Sequence, residues 1–254
     1  MSFMKRMLSS VGIGSAKVDT ILAENRFAPG DVIDAEVKIT GGKVEQEIDD
    51  IYFSICATYE AEVDDDKVTR VAVLDKFKAS DSFVINPGDV VELNVSLQLP
   101  FDAPLSIGKT KVWVETGLDI DNAVDPGDKD RIEVVAGQLV GAIFESLQSL
   151  GFKLAEAECE AVSAPRGALP FVQEFEFKPY GGPFRGKLDE LELICFPSED
   201  NVEVFMEIDR KARGVGGFFA EMLNTDESHV RLVFNADDLP DLTDKLHEII
   251  AERS

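Results

Sequence analysis

Two short segments, Pro29-Gly30-Asp31 and Pro87-Gly88-Asp89, each lead into a run in which every second residue is apolar. After the first come Val32 and then Ile33, Ala35, Val37 and Ile39. After the second come Val91, Leu93, Val95, Leu97 and Leu99. The physics is local. Proline presets φ at the first central position of a turn, glycine supplies the positive φ that a type II turn needs, and aspartate bonds back to the backbone. A period of two then turns one face of an extended strand toward a core. A third triplet, Pro126-Gly127-Asp128, recurs further along. Turn and strand in repetition describe a β-sandwich, a scaffold suited to binding.

Composition narrows the functional classes. The chain has 254 residues, enough for one large or two ordinary domains, and 44% of them are hydrophobic. Seventeen phenylalanines against one tryptophan and three tyrosines point to aromatics used for packing. Residues 1–135 hold 14 basic and 26 acidic side chains and residues 136–254 hold 11 and 23, so each half carries −12 of the total −24. An acidic field over the whole surface repels phosphate backbones and anionic headgroups, which argues against nucleic acid as a partner. No apolar stretch reaches the roughly 20 residues needed to span a bilayer. Ser9, Ser10, Gly12, Gly14 and Ser15 interrupt the N-terminal apolar stretch, which makes a poor secretory signal. Cys56, Cys159 and Cys195 are odd in number and far apart, as expected of free thiols in a reducing cytoplasm.

Along residues 17–135 the pattern predicts about eight strands. These are Lys17–Glu24, Asp31–Thr40, Ile51–Glu62, Val68–Lys78, Asp81–Ile85, Val90–Leu99, Lys111–Leu118 and Arg131–Val135, with a hairpin turn at Asp64-Asp65-Asp66-Lys67. At Gly137 the texture changes. Leu139, Val140, Ile143, Phe144, Leu147 and Leu150 recur at helical spacing up to Gly151. Strands resume at Phe152–Val162, Phe171–Lys178, Lys187–Phe196, Val202–Asp209 and Val230–Phe234. A short helix is predicted near Gly216–Leu223, and a last one follows Leu239-Pro240. The reading is mainly β: two tandem β-sandwich domains, 1–136 and 137–254, the second with added helices.

Catalytic motifs fail on inspection. His229 and His247 are the only histidines, and neither sits in a nucleophile context. Ser106-Ile107-Gly108-Lys109 matches S-x-x-K without a companion K-T-G. Gly108-Lys109-Thr110 ends like a phosphate loop, but Ala103 stands where its first glycine belongs. Gly12-Ile13-Gly14 and Gly214-Val215-Gly216 lack the third glycine of a dinucleotide fingerprint. Asp64-Asp65-Asp66 and the group Asp119, Asp121, Asp125, Asp128 and Asp130 are acidic enough for calcium, yet neither has EF-hand spacing. No catalytic residue, cofactor or metal ligand is assigned. One segment opposes the global charge: Arg210, Lys211 and Arg213 beside Phe218 and Phe219. Arginine pairs bidentately with carboxylate or phosphate and phenylalanine anchors an interface, so these five residues form a candidate partner-binding surface; solvated cations beside core phenylalanines are the plain alternative.

Other stretches carry a resemblance. Leu99-Pro100-Phe101-Asp102-Ala103-Pro104 followed by Val112-Trp113-Val114-Glu115-Thr116-Gly117-Leu118-Asp119 resembles the N-terminal domain of arrestin-like proteins. Val44 to Tyr52, Leu169 to Phe177, Gly186 to Leu193 and Asp209 to Phe219 are similar to the bacterial sporulation-control family of stage-zero sporulation protein M. The likeness runs over essentially the full length. It implies two arrestin-like sandwiches in tandem and a non-enzymatic cytoplasmic regulator of sporulation, cell-cycle or stress decisions that acts through protein contacts. It supplies no catalytic residue, and the phosphate-sensing signature of animal arrestins is missing. Self-association stays open. A calcium-dependent binding module and a carboxylate-using hydrolase remain as alternatives.

Overall fold

The first two Pro-Gly-Asp turns are built alike. In each, the aspartate amide donates to the carbonyl three residues back, Asp31 N to Ala28 O and Asp89 N to Asn86 O, both 3.0 Å. In each, the aspartate carboxylate accepts from the amide three residues back, that of Ala28 at 2.6 Å and that of Asn86 at 2.9 Å. Gly30 (φ 90°) and Gly88 (φ 84°) take the positive φ of a type II turn. The third triplet is different: Gly127 opens a strand.

The structure, a computed structural model, describes residues 15–64, 66–79, 82–120, 126–162, 169–209 and 229–254. It is mainly β. The strands before Gly137 are β1 (Lys17–Leu22), β2 (Arg26–Phe27), β3 (Val32–Thr40), β4 (Gln46–Val63), β5 (Asp66–Lys78), β6 (Phe83–Ile85), β7 (Val90–Gln98), β8 (Val112–Ile120) and β9 (Gly127–Val134). After it come helix α1 (Gln138–Ser149), strands β10 (Phe152–Ala161), β11 (Phe171–Pro179), β12 (Glu190–Pro197), β13 (Asn201–Asp209) and β14 (His229–Asn235), a 3-10 turn over Ala236–Asp241, and helix α2 (Leu242–Ala251).

Two sheets result. The small one has the order β1-β3-β7. The large one runs β14-β13-β12-β11-β10-β4-β8-β9-β2, with β5 and β6 also paired to β4. Period two explains the first layer: Ile33, Ala35, Val37 and Ile39 of β3 are buried while Val32, Asp34, Glu36 and Lys38 are exposed. Ile33, Val37 and Ile39 share one hydrophobic core with Ile51, Phe53 and Ile55 of β4 and Val112, Val114 and Leu118 of β8.

In the C-terminal half the helices cover the inner face of the sheet. The Phe144 ring of α1 meets Phe175 and Phe177 edge-on at 5.0 and 5.3 Å. Thr243 of α2 donates a hydrogen bond to Ser146 of α1. Among the described residues, no helix is long and apolar enough to cross a membrane. The seam between the halves lies where β4 and β10 meet in parallel, Glu60 opposite Glu160. The large sheet is therefore continuous past Gly137, where the sequence predicted a boundary.

Candidate functional site

Three features crowd the seam and the outer face of the C-terminal sheet. The first is an ion network. Lys67, on the far arm of the β4–β5 hairpin, places its Nζ 2.7 Å from Glu160, 3.2 Å from Glu158 and 3.9 Å from Glu60. Lys109 reaches Glu158 at 3.3 Å and Glu60 at 3.7 Å. Two cations from the first half thus hold two carboxylates of β10 and one of β4. Burial alone pushes the Glu158 carboxyl up, but hydrogen bonds from Lys67 and Lys109 outweigh it and hold the group below its ordinary range. Lys67 is raised in turn, chiefly by its bond to Glu160. Nearby, Thr110 and Cys159 hydroxyl and thiol lie 3.3 Å apart, and the Tyr59 and Phe171 rings stack at 5.3 Å.

The second feature is a carboxylate row on the face turned away from the helices. Strand register sets Glu156 opposite Glu176, Glu176 opposite Glu192, Glu192 opposite Glu207, and Glu207 opposite His229. A row of four glutamates crosses four strands and ends on a histidine, whose Nε2 lies 3.2 Å from Glu207. Like charges directly opposite each other are unfavourable in a sheet. The strain gathers at Glu174, one step along β11 and opposite Glu158. Glu174 is 4% exposed, and its Oε2 has no hydrogen-bond partner. Burial first, then Glu192, Glu160, Glu207 and Glu176, push its carboxyl up to about 9, so it carries a proton at neutral pH.

The third feature is a cavity of about 340 Å³ between the halves. The loop after β7 (Phe101, Pro104, Leu105), the first turn of α1, the start of β11 and the end of β12 line it. Gln173 ties those parts together: its Oε1 accepts from the Leu105 amide at 2.7 Å and its Nε2 donates to the Leu105 carbonyl at 2.8 Å. The Pro29-Gly30-Asp31 turn supports the same wall, because Gly30 packs so closely on Phe101 that a Cβ there would lie 2.5 Å from its ring.

The sequence candidates fall as follows. Arg210, Lys211, Arg213, Phe218 and Phe219, and the helix expected near Gly216–Leu223, lie outside the described residues. His229 pairs with Glu207, and the His247 ring packs against Phe184 at 5.4 Å. Ser106 of the S-x-x-K match accepts from the Val134 amide, while Lys109 turns to the seam glutamates. Of the aspartates weighed for calcium, Asp65, Asp121 and Asp125 lie outside the described residues. Asp128 accepts from the Thr20 amide at 2.8 Å, and burial together with Asp128 and Asp19 pushes Asp130 up to about 6. Among the described residues, no three His, Cys, Asp or Glu side chains form a group able to hold a metal ion. The cysteines are free: burial raises Cys56 and pushes Cys159 and Cys195 up to about 12.

The family model described as SpoOM protein matches residues 4–212. The chain belongs to the Spo0M family. It is 41% identical over 252 residues to the sporulation-control protein spo0M of Bacillus subtilis (strain 168), covering 99% of this chain and 97% of that protein. The crystal structure of Spo0M, sporulation control protein, from Bacillus subtilis matches with a TM-score of 0.88 at 40% identity, over 95% of this chain and all of that one. The Spo0M family match spans the ion network, the cavity walls up to Asp200 and the row from Glu156 to Glu207. The seam residues were not singled out in the sequence, because Lys67 and Glu160 stand 93 positions apart. The row did leave a trace, glutamate at alternate positions of β10 and β11, which reads in isolation as an ordinary solvated face.

Proposed function

We propose that this chain is a non-enzymatic, cytoplasmic, arrestin-like regulatory adaptor that acts in sporulation control, or in a related cell-cycle or stress decision, through contacts with other proteins. It comprises two domains, 1–136 and 137–254. The observation that carries the reading is the near full-length likeness to the sporulation-control protein of Bacillus subtilis, 41% identical with 97% of that protein covered. The site chemistry agrees with it. The histidines and Lys109 are engaged in ion pairs and ring packing, and the seam is bound by charge pairs of the kind that fix the relative placement of two halves. Arg210, Lys211, Arg213, Phe218 and Phe219 are the proposed partner contact, three cations beside two aromatic anchors in a chain of net charge −24.

Expression of this chain in Bacillus subtilis lacking its own spo0M tests the reading. Sporulation control returns with the parent chain. It is weakened by replacing Arg210, Lys211 and Arg213 with Ser, and so is cross-linking to a protein partner. Restoration by the parent with no protein cross-linked at any stage defeats the adaptor mechanism. Full activity and unchanged cross-linking of the triple variant remove the segment from it.

A further inference from the structure

The seam cavity has the chemistry of a binding site, and its parts agree on one kind of occupant. Much of its wall is apolar: Phe101 and Leu105 from the loop after β7, Phe171 and Phe175 of β11, and Ile194 and Phe196 of β12. Gln173, the polar side chain set among them, spends both ends of its amide on Leu105 and offers little to a ligand. At about 340 Å³ the space is roughly twice the ~150 Å³ that holds a single benzene ring in an engineered core, and it falls in the range of ligand pockets, which favour domain interfaces.

Two polar features break the apolar lining. Gly137, Gln138, Leu139 and Val140 bring the start of α1 to the cavity, and Gly137 at the N-cap supplies no side-chain cap to the first-turn amides. Those amides want acceptor oxygens. The first turn of α1 also carries no acidic side chain of its own. At the mouth stand three exposed carboxylates, Asp102, Glu199 and Asp200, and among the described residues no lysine, arginine or histidine lines the cavity. The mouth attracts positive charge while the interior takes apolar bulk.

We infer that the seam cavity is a docking site for a segment of a partner protein in which large apolar side chains are flanked by lysine or arginine. The apolar side chains enter between Phe101 and Phe196, the flanking cations meet Asp102, Glu199 and Asp200, and backbone carbonyls of the segment accept from the first turn of α1. A carboxylate-bearing ligand fits the amides but not the mouth. A plain alkyl ligand fits the walls but leaves the amides and the carboxylates unused. A short cationic peptide satisfies all three. The inference rests on the reading of the chain as a protein-binding regulator, but it names residues other than Arg210–Phe219.

Titration of the full chain into a dye-labelled, end-blocked Lys-Phe-Phe-Lys peptide, followed by fluorescence anisotropy, tests it against the Glu-Phe-Phe-Glu counterpart. The basic peptide binds and the acidic one does not. Reversing the mouth charges with Glu199→Lys and Asp200→Lys weakens binding about tenfold, and filling the cavity with Leu139→Trp does so by a similar factor. A control reversal at Glu36 and Glu92, exposed on the small sheet, changes binding less than twofold or so, because general attraction to an acidic surface is screened. Amide exchange at Gln138–Val140 slows when the basic peptide is present, which keeps the test informative should Leu139→Trp disturb the fold. Equal binding of both peptides overturns the inference. So does equal weakening by the control reversal, unchanged exchange at Gln138–Val140, or no binding of the basic peptide at all. Each of these leaves complementation and cross-linking through Arg210–Phe219 untouched, so failure here is distinguishable from failure of the adaptor reading.

Discussion

Glu158 and Glu174 face each other across β10 and β11, yet they are driven in opposite directions. Glu158 sits at the seam, where Lys67 and Lys109 reach over from the N-terminal half and hold it below its ordinary range. Glu174, one strand further in, is cut off from those cations and surrounded by Glu160, Glu176, Glu192 and Glu207, and is pushed up to about 9. The residue type, the strand type and the outward orientation are the same. The difference is which part of the chain arrives next to each. The seam carboxylates therefore favour the union of the two halves, whereas the inner carboxylate is tolerated at a cost that depends on pH.

The largest expected effect follows from that cost. Glu174 has an ordinary value of 4.5 and a folded value of about 9, so between those values the folded chain binds a proton that the unfolded chain has released. Stability from this group is fully present below about pH 4.5 and declines as pH rises toward 9. Glu174→Gln keeps the shape without the ionisation. Urea denaturation should find it more stable than the parent at pH 8, by on the order of a few kcal/mol, with the gain gone near pH 4.5. An equal gain at both pH values would assign the effect to packing and dissolve the contrast with Glu158.

The strands of the first half were legible because their signal is local. Ile33 to Ile39 alternate in sequence and in burial alike. The helix from Leu139 to Leu150 and the stop before Gly151 were legible for the same reason, at a different period. β2 is only Arg26–Phe27, too short to show a period. The seam and the cavity were not legible, since they join Lys67 to Glu160 and Leu105 to Gln173 across long separations. The two Pro-Gly-Asp turns show the same division at the scale of a single residue. Both glycines need positive φ, which the sequence announced. Only Gly30 also presses on Phe101, while a Cβ at Gly88 meets nothing within 4 Å. Gly30→Ala should therefore cost about 2 kcal/mol in thermal or denaturant melts and Gly88→Ala about 1 kcal/mol. Equal costs would mean that Phe101 yields freely and that the cavity wall it forms is soft.

The smallest expected effect bears most directly on the pair. Lys67→Met removes one of the two cations over Glu158 while keeping an apolar stem of similar length. The Lys67 side chain is 61% exposed, so solvent screens its ion pairs and the loss of stability should be only about 0.5–1 kcal/mol. The more telling readout is titration of Glu158 by carbon-detected NMR. With Lys67 gone, burial is opposed only by the hydrogen bonds from Lys109 and with Glu160, and the Glu158 carboxyl rises. Raising the salt concentration should shrink the stability difference between parent and variant, because the lost interaction is electrostatic and near the surface. Glu174 should respond less, since burial is the first cause of its shift and Lys67 bears on it only through Glu160. A Glu158 that stays low without Lys67 would show that Lys109 suffices, and the seam would then depend on one lysine rather than two.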